Sequence, residues 1–82
     1  MKIEVLGSGC KNCELLHENV LKALEQAGLK GTAQVEKVKD IDTIMKMGVY
    51  STPGLVFDGE VVSTGRVLDP EQILERIRAK GP

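Results

Sequence analysis

The run Leu55-Val56-Phe57-Asp58-Gly59-Glu60-Val61-Val62 leaves its stretch of chain few options. Two segments rich in β-branched and aromatic residues flank Asp-Gly, a dipeptide that favours the tight two-residue hairpin turn because both central residues of that turn need positive φ. Two antiparallel neighbouring strands are therefore predicted over 55–57 and 60–62. Any sheet the chain builds must contain this pair.

The remaining elements follow from periodicity and end signals. Lys2 to Leu6 alternates polar and apolar side chains, with Ile3 and Val5 on one face, and stops at Gly7-Ser8-Gly9, so it reads as a first strand. Apolar residues at 13, 16, 20, 24 and 27, widened by Leu15, Leu21 and Ala23, have helical spacing, and Gly28 supplies the residue that helices commonly need just past their end; the first helix spans about 11–27. Thr32 to Val38 is the second strand, entered through Lys30-Gly31. Asp40 can cap a short helix with Ile41, Ile44 and Met45 on one side, ended by Gly48. After the hairpin, Asp69 and Gln72 stand in capping-box register around Pro70 at the first helical position, and Ile73, Leu74 and Ile77 form the apolar stripe of a last helix over about 70–79. The order β-α-β-α-β-β-α has a helix long enough for a parallel, right-handed crossover between the first two strands, whereas the hairpin is antiparallel. The predicted architecture is an α/β domain with a four-stranded mixed sheet and helices on both faces.

Size and composition restrict what such a domain can do. Eighty-two residues make one domain over 1–82 with one small core. Lys and Arg total 11 against 12 Asp and Glu, and aromatic residues are 2% of the chain. Neither a basic footprint nor stacking platforms for nucleic acid are present, so nucleic-acid binding is not expected. No apolar run approaches the ~20 residues of a membrane span, and Glu4 stands where a signal peptide needs its apolar centre. A cytoplasmic protein without membrane contact is expected.

The chemistry is concentrated in Cys10-Lys11-Asn12-Cys13, between the first strand and the first turn of the first helix. Free N–H groups and the dipole at a helix start favour negative charge, and Lys11 adds a cation, so Cys10 is expected to ionise more readily than an ordinary thiol and to act as a nucleophile. Cys13 heads the apolar stripe three residues later, where a more buried sulfur can attack a mixed disulfide formed at Cys10. A purely structural bridge closing so short a loop in a reducing compartment would contribute little. Soft-metal binding is the rival, because thiolates at this spacing suit Zn or Cu(I) and His17 lies one turn beyond Cys13. With two cysteines and one histidine in the chain, three such ligands is the most it could offer, and His17 alone reads as an exposed helix residue.

Ser51-Thr52-Pro53-Gly54 precedes the hairpin, and there proline fixes the backbone and removes an N–H. At this point the chain resembles the thioredoxin fold in its minimal, glutaredoxin-sized form. The resemblance spans essentially the whole chain. Gly7-Ser8-Gly9-Cys10-Lys11-Asn12-Cys13, Val49-Tyr50-Ser51-Thr52-Pro53-Gly54 and Phe57-Asp58-Gly59-Glu60-Val61-Val62 are similar to the small prokaryotic thioredoxin-like redox-active disulfide proteins. It implies that Cys10 is the exposed attacking cysteine, Cys13 the buried one, and Pro53 a cis-proline facing the disulfide. It also implies that the Thr52 backbone pairs with an extended substrate. Tyr50 either borders the substrate groove or packs beside the proline loop, and Lys11 and Asn12 support the cysteines.

The implied activity is thiol-disulfide exchange by a cycling Cys10–Cys13 pair with no bound organic cofactor and no metal. Its partners would be protein or small-thiol disulfides and a thioredoxin-reductase-like electron donor, with the chain itself a monomer. The chain departs from larger thioredoxins in lacking Trp, a proline between the cysteines and an assignable buried acid. Only Gly65 remains of the Gly-Gly that grips glutathione in glutaredoxins, and Arg66 after it reads as a solvated charge. Two alternatives stay open. A soft-metal carrier similar to heavy-metal-associated domains would have the order β-α-β-β-α-β, against which the terminal helix argues; a module used only for partner binding would not need either cysteine.

Overall fold

A computed structural model describes residues 1–7 and 11–80. Strand β1 (Lys2–Leu6) is followed by α1 (Lys11–Gln26), β2 (Gln34–Val38), α2 (Ile41–Lys46), β3 (Gly54–Phe57), β4 (Glu60–Thr64) and α3 (Pro70–Ala79). The sheet order is β2-β1-β3-β4, parallel between β1 and β2 and antiparallel across the other two pairs. This is the predicted mixed sheet.

Local chemistry accounts for most boundaries. The hairpin turns through Asp58 and Gly59 at φ 48° and 84°, the double positive φ that the dipeptide foretells. Its tip is tied to β1, because Asp58 N–H donates to Lys2 O at 2.8 Å and the Asp58 carboxylate accepts from Lys2 N–H at 2.7 Å. Asp40 caps α2, and Asp69 with Gln72 forms both bonds of a capping box at α3. The second strand starts at Gln34 rather than Thr32, since the Thr32 and Ala33 amides bond back to Leu29 O and sheet pairing opens with Gln34 N–H on Met1 O. A register shift between Leu55 and Val56 marks a bulge that the hairpin pattern did not foretell.

The two sheet faces are covered unequally. Ile3, Val5, Leu55 and Phe57 point to one face, where Leu16, Val20, Ala23 and Leu24 of α1 and Ile73 and Ile77 of α3 pack over them. Leu6 and Val56 point to the other and meet Ile44 and Val49 in a smaller buried cluster, with Val38 and Met47 packed against it. Because β1 is central and covered on both sides, its alternating pattern does not mean one wet face: Glu4, expected outside, is buried on the α2 side, flanked in register by Glu36 and Val56.

Two details of the helices also differ from the periodic reading. Leu15 and Leu21 are exposed, while Asn19 is buried and donates its side-chain N–H to Leu68 O at 3.0 Å, joining α1 to the approach of α3. Of the three apolar residues on α2 only Ile44 is buried, because six residues make too short a helix to lay Ile41 and Met45 over the sheet as well.

Replacing the fully buried ring in Phe57→Ala should cost about 3–5 kcal/mol, whereas Tyr50→Ala at an exposed ring should stay within about 0.5 kcal/mol. Urea unfolding midpoints of the two variants check the contrast.

Candidate functional site

The site is assembled where β1 ends. Helix α1 begins at Lys11, immediately after Cys10 in the chain; Cys10 itself, with Ser8 and Gly9, lies outside the described residues. Lys11 and Asn12 are exposed on the first turn, and Cys13 turns inward. Cys13 is 6% exposed and disulfide-bonded.

Gly7 explains how that sulfur reaches the sheet. Its N–H donates to Val38 O at 2.9 Å, which fixes the end of β1 against β2, and its φ is 155°. A Cβ added there would overlap Cys13 Sγ and stand 3.2 Å from Cys13 Cβ and 3.7 Å from Thr52 Cβ. Gly7 is thus the point at which the head of α1 and the proline loop converge, and only a residue without a side chain fits between them. The sequence signal was present, since glycine at a strand end marks close approach as well as flexible turns. Which atom approaches could not be read from it.

The proline loop supplies the facing wall. The Thr52–Pro53 peptide is cis, Pro53 is buried, and Pro53 O accepts from Gly65 N–H at 2.8 Å, so the entry to β3 is held to the end of β4. Thr52 is exposed beside Gly7, and Tyr50 is 78% exposed. The Tyr50 ring is therefore not part of the core. Arg66, the residue after Gly65, is exposed.

Charge near the cysteine turn is organised by one pair. Lys37 Nζ on β2 donates to both Glu14 carboxylate oxygens at 2.7 and 3.0 Å. That hydrogen bond and the Lys37 charge hold the Glu14 carboxyl below its ordinary value, with smaller help from His17 and Lys39 and against a small desolvation effect. The pair pins β2 to the first turn of α1 beside Cys13. His17 is half-buried on the following turn. Among the described residues, no group of three or more His, Cys, Asp and Glu is gathered to hold a metal ion. No helix among them is long and apolar enough to cross a membrane.

Comparison with known proteins adds a family to this geometry. Residues 1–78 match the family model of a thioredoxin domain. The chain is 41% identical over 73 residues to a thioredoxin of Methanothermobacter thermautotrophicus, covering 89% of this chain and 92% of that one. It is 36% identical over 77 residues to a thioredoxin of Methanocaldococcus jannaschii, covering 94% and 86%.

Two outcomes follow from the site's packing and charge. Gly7→Ala should lose about 1–3 kcal/mol by overpacking against Cys13, read as a lower urea midpoint; an unchanged midpoint would mean that Cys13 moves aside freely. Lys37→Met should be less stable than the unsubstituted protein near neutral pH. The Glu14 carboxyl is depressed in the folded state, so its contribution is present above the ordinary value of 4.5 and fades as pH falls through the lowered one. The gap between the two urea midpoints should therefore narrow in acid.

Proposed function

The chain belongs to the thioredoxin family of thiol-disulfide oxidoreductases, and on that premise we propose that residues 1–82 form one redox domain whose working pair is Cys10 and Cys13. The observation that carries this assignment is the placement of Cys13: a buried, disulfide-bonded sulfur in the first turn of α1, against Gly7 and within reach of the proline loop. Cys10 is the one other cysteine in the sequence, which supports the pairing.

In the reducing direction, the Cys10 thiolate attacks a substrate disulfide, forming a Cys10–substrate bond and expelling one substrate thiolate. Cys13 loses its proton and attacks Cys10 Sγ, closing the Cys10–Cys13 disulfide and releasing the second substrate sulfur. Two electrons pass from the dithiol to the substrate, whose two thiolates take up protons. A reductase-type donor returns the electrons, so the cycle needs no bound cofactor.

The start of α1 at Lys11 and the Lys11 charge favour the attacking thiolate. Thr52, exposed beside Gly7, would present its backbone to an extended substrate segment, and Lys11 and Asn12, exposed on the first turn of α1, would support the cysteines. Protein disulfides in a reducing compartment such as the cytoplasm are the substrates this reading favours.

Single-cysteine variants test the roles. After exposure to a disulfide-bearing protein, Cys13→Ser should accumulate reductant-sensitive adducts on a non-reducing gel, because the attacker has no resolver, and Cys10→Ser should accumulate none. Adducts for Cys10→Ser alone would reverse the assignment of the exposed thiol, adducts for both variants alike would mean that both thiols attack and would remove the asymmetry, and none for either would remove the exchange mechanism.

A further inference from the structure

Resolution of the mixed disulfide sets one proton in motion that the cysteines alone do not place. Cys13 must become a thiolate before it attacks Cys10 Sγ, and a thiol closed off by apolar surroundings holds its proton more firmly than one in water. At 6% exposure Cys13 has little solvent beside it to take that proton. Glu14 is the next residue, but its carboxylate is committed to Lys37 Nζ and held below its ordinary value, which makes it a weak base. Glu4 is buried on the α2 side of β1, whereas α1 packs over the opposite face. His17 stands four residues after Cys13 on α1. Side chains at that spacing lie one above the other, about 5–6 Å apart at Cβ, and the later one leans toward the helix start. The His17 ring is half-buried, within electrostatic reach of Glu14, and neither of its nitrogens has a hydrogen-bond partner among the described residues.

We propose that His17 accepts the Cys13 proton in the resolving step. The proposal rests on the oxidoreductase reading and adds a base to it. The proton passes from Cys13 Sγ to an imidazole nitrogen, and the sulfur's electron pair forms the bond to Cys10 Sγ. The Cys10–substrate bond breaks with its pair on the substrate sulfur, and the imidazolium returns the proton to that thiolate or to water. Imidazole suits the task because it changes charge between about pH 5 and 8, so both of its forms are within reach near neutrality. Glu14 and Glu18 on the same helix favour the imidazolium, while Lys37 of β2, already paired with Glu14, and Lys39 just past that strand oppose it. Cys10 does not share the need, because the helix start and Lys11 favour its thiolate directly.

The chromogenic disulfide dithiobis(nitrobenzoate), mixed in equal amount with the reduced full chain, separates the two steps in one stopped-flow trace. The first nitrothiobenzoate leaves when Cys10 attacks and the second when Cys13 resolves. A positioned base is worth about 10²–10⁴-fold, so His17→Gln and His17→Ala should each slow the second release by at least about 10²-fold at neutral pH and leave the first within about twofold. In the unsubstituted protein the second rate should rise with pH and level off within the imidazole range, whereas in His17→Gln it should keep rising beyond that range, following the thiol itself. Glutamine is a good helix former, and an unchanged first release reports an intact cysteine turn. A second release as fast in both His17 variants as in the unsubstituted protein overturns the proposal, and so does equal slowing of both releases. Glu4→Gln is the control from the other face: if it slows the second release and His17→Gln does not, the base lies there and the proposal falls. Release of a single nitrothiobenzoate per unsubstituted chain would remove Cys13 as the resolver, and the exchange reading with it.

Discussion

Strand β1 is hydrogen-bonded along both edges, to β2 in parallel and to β3 antiparallel, and it is covered on both faces. Four of its five residues are consequently buried. Such a strand has no freedom to slip, because a shift of one residue would exchange Ile3 and Val5 for Glu4 and Leu6 on the larger core. Its end is fixed as firmly as its middle, through the Gly7 bond to Val38. The Cys13 sulfur and Thr52 both pack at this fixed strand end, beside Gly7, and their relation to each other inherits its constancy.

The contacts around the site then distribute the work. The Glu14–Lys37 pair holds the first turn of α1 to the β2 edge, and Asn19 holds the middle of the same helix to the segment before α3. Both involve polar side chains, yet their settings differ. Glu14 and Lys37 remain in contact with solvent, so their bond is conditional on pH and salt. The Asn19 bond is buried, and removing its amide would leave the Leu68 carbonyl without that partner.

The fold was largely legible in the sequence because its signals were local. Asp58-Gly59 specified the hairpin, Asp69-Pro70 with Gln72 specified the start of α3, and Gly7-Ser8-Gly9 marked the end of β1. What local pattern could not supply was the number of neighbours each residue would meet. Glu4 looks like the polar member of an amphipathic strand until β1 is known to lie inside the sheet, and Leu15 and Leu21 look like core until the stripe of α1 is seen to be narrower than the run of apolar residues. The cysteines and the proline loop could be singled out as chemistry. The contact among Gly7, Cys13 and Thr52 spans 45 residues of chain, and no short-range pattern encodes it.

The unequal covering of the two faces has a dynamic consequence. α1 and α3 share a cluster of eleven buried residues, whereas α2 is held by a cluster of four. Local opening follows the weakest set of contacts, so α2 and its outgoing loop are expected to exchange their amides at lower free energy than the sheet and α1. The wall that carries Thr52 is therefore the more adjustable side of the contact at Gly7, while the helix that carries Cys13 stays fixed by the larger core.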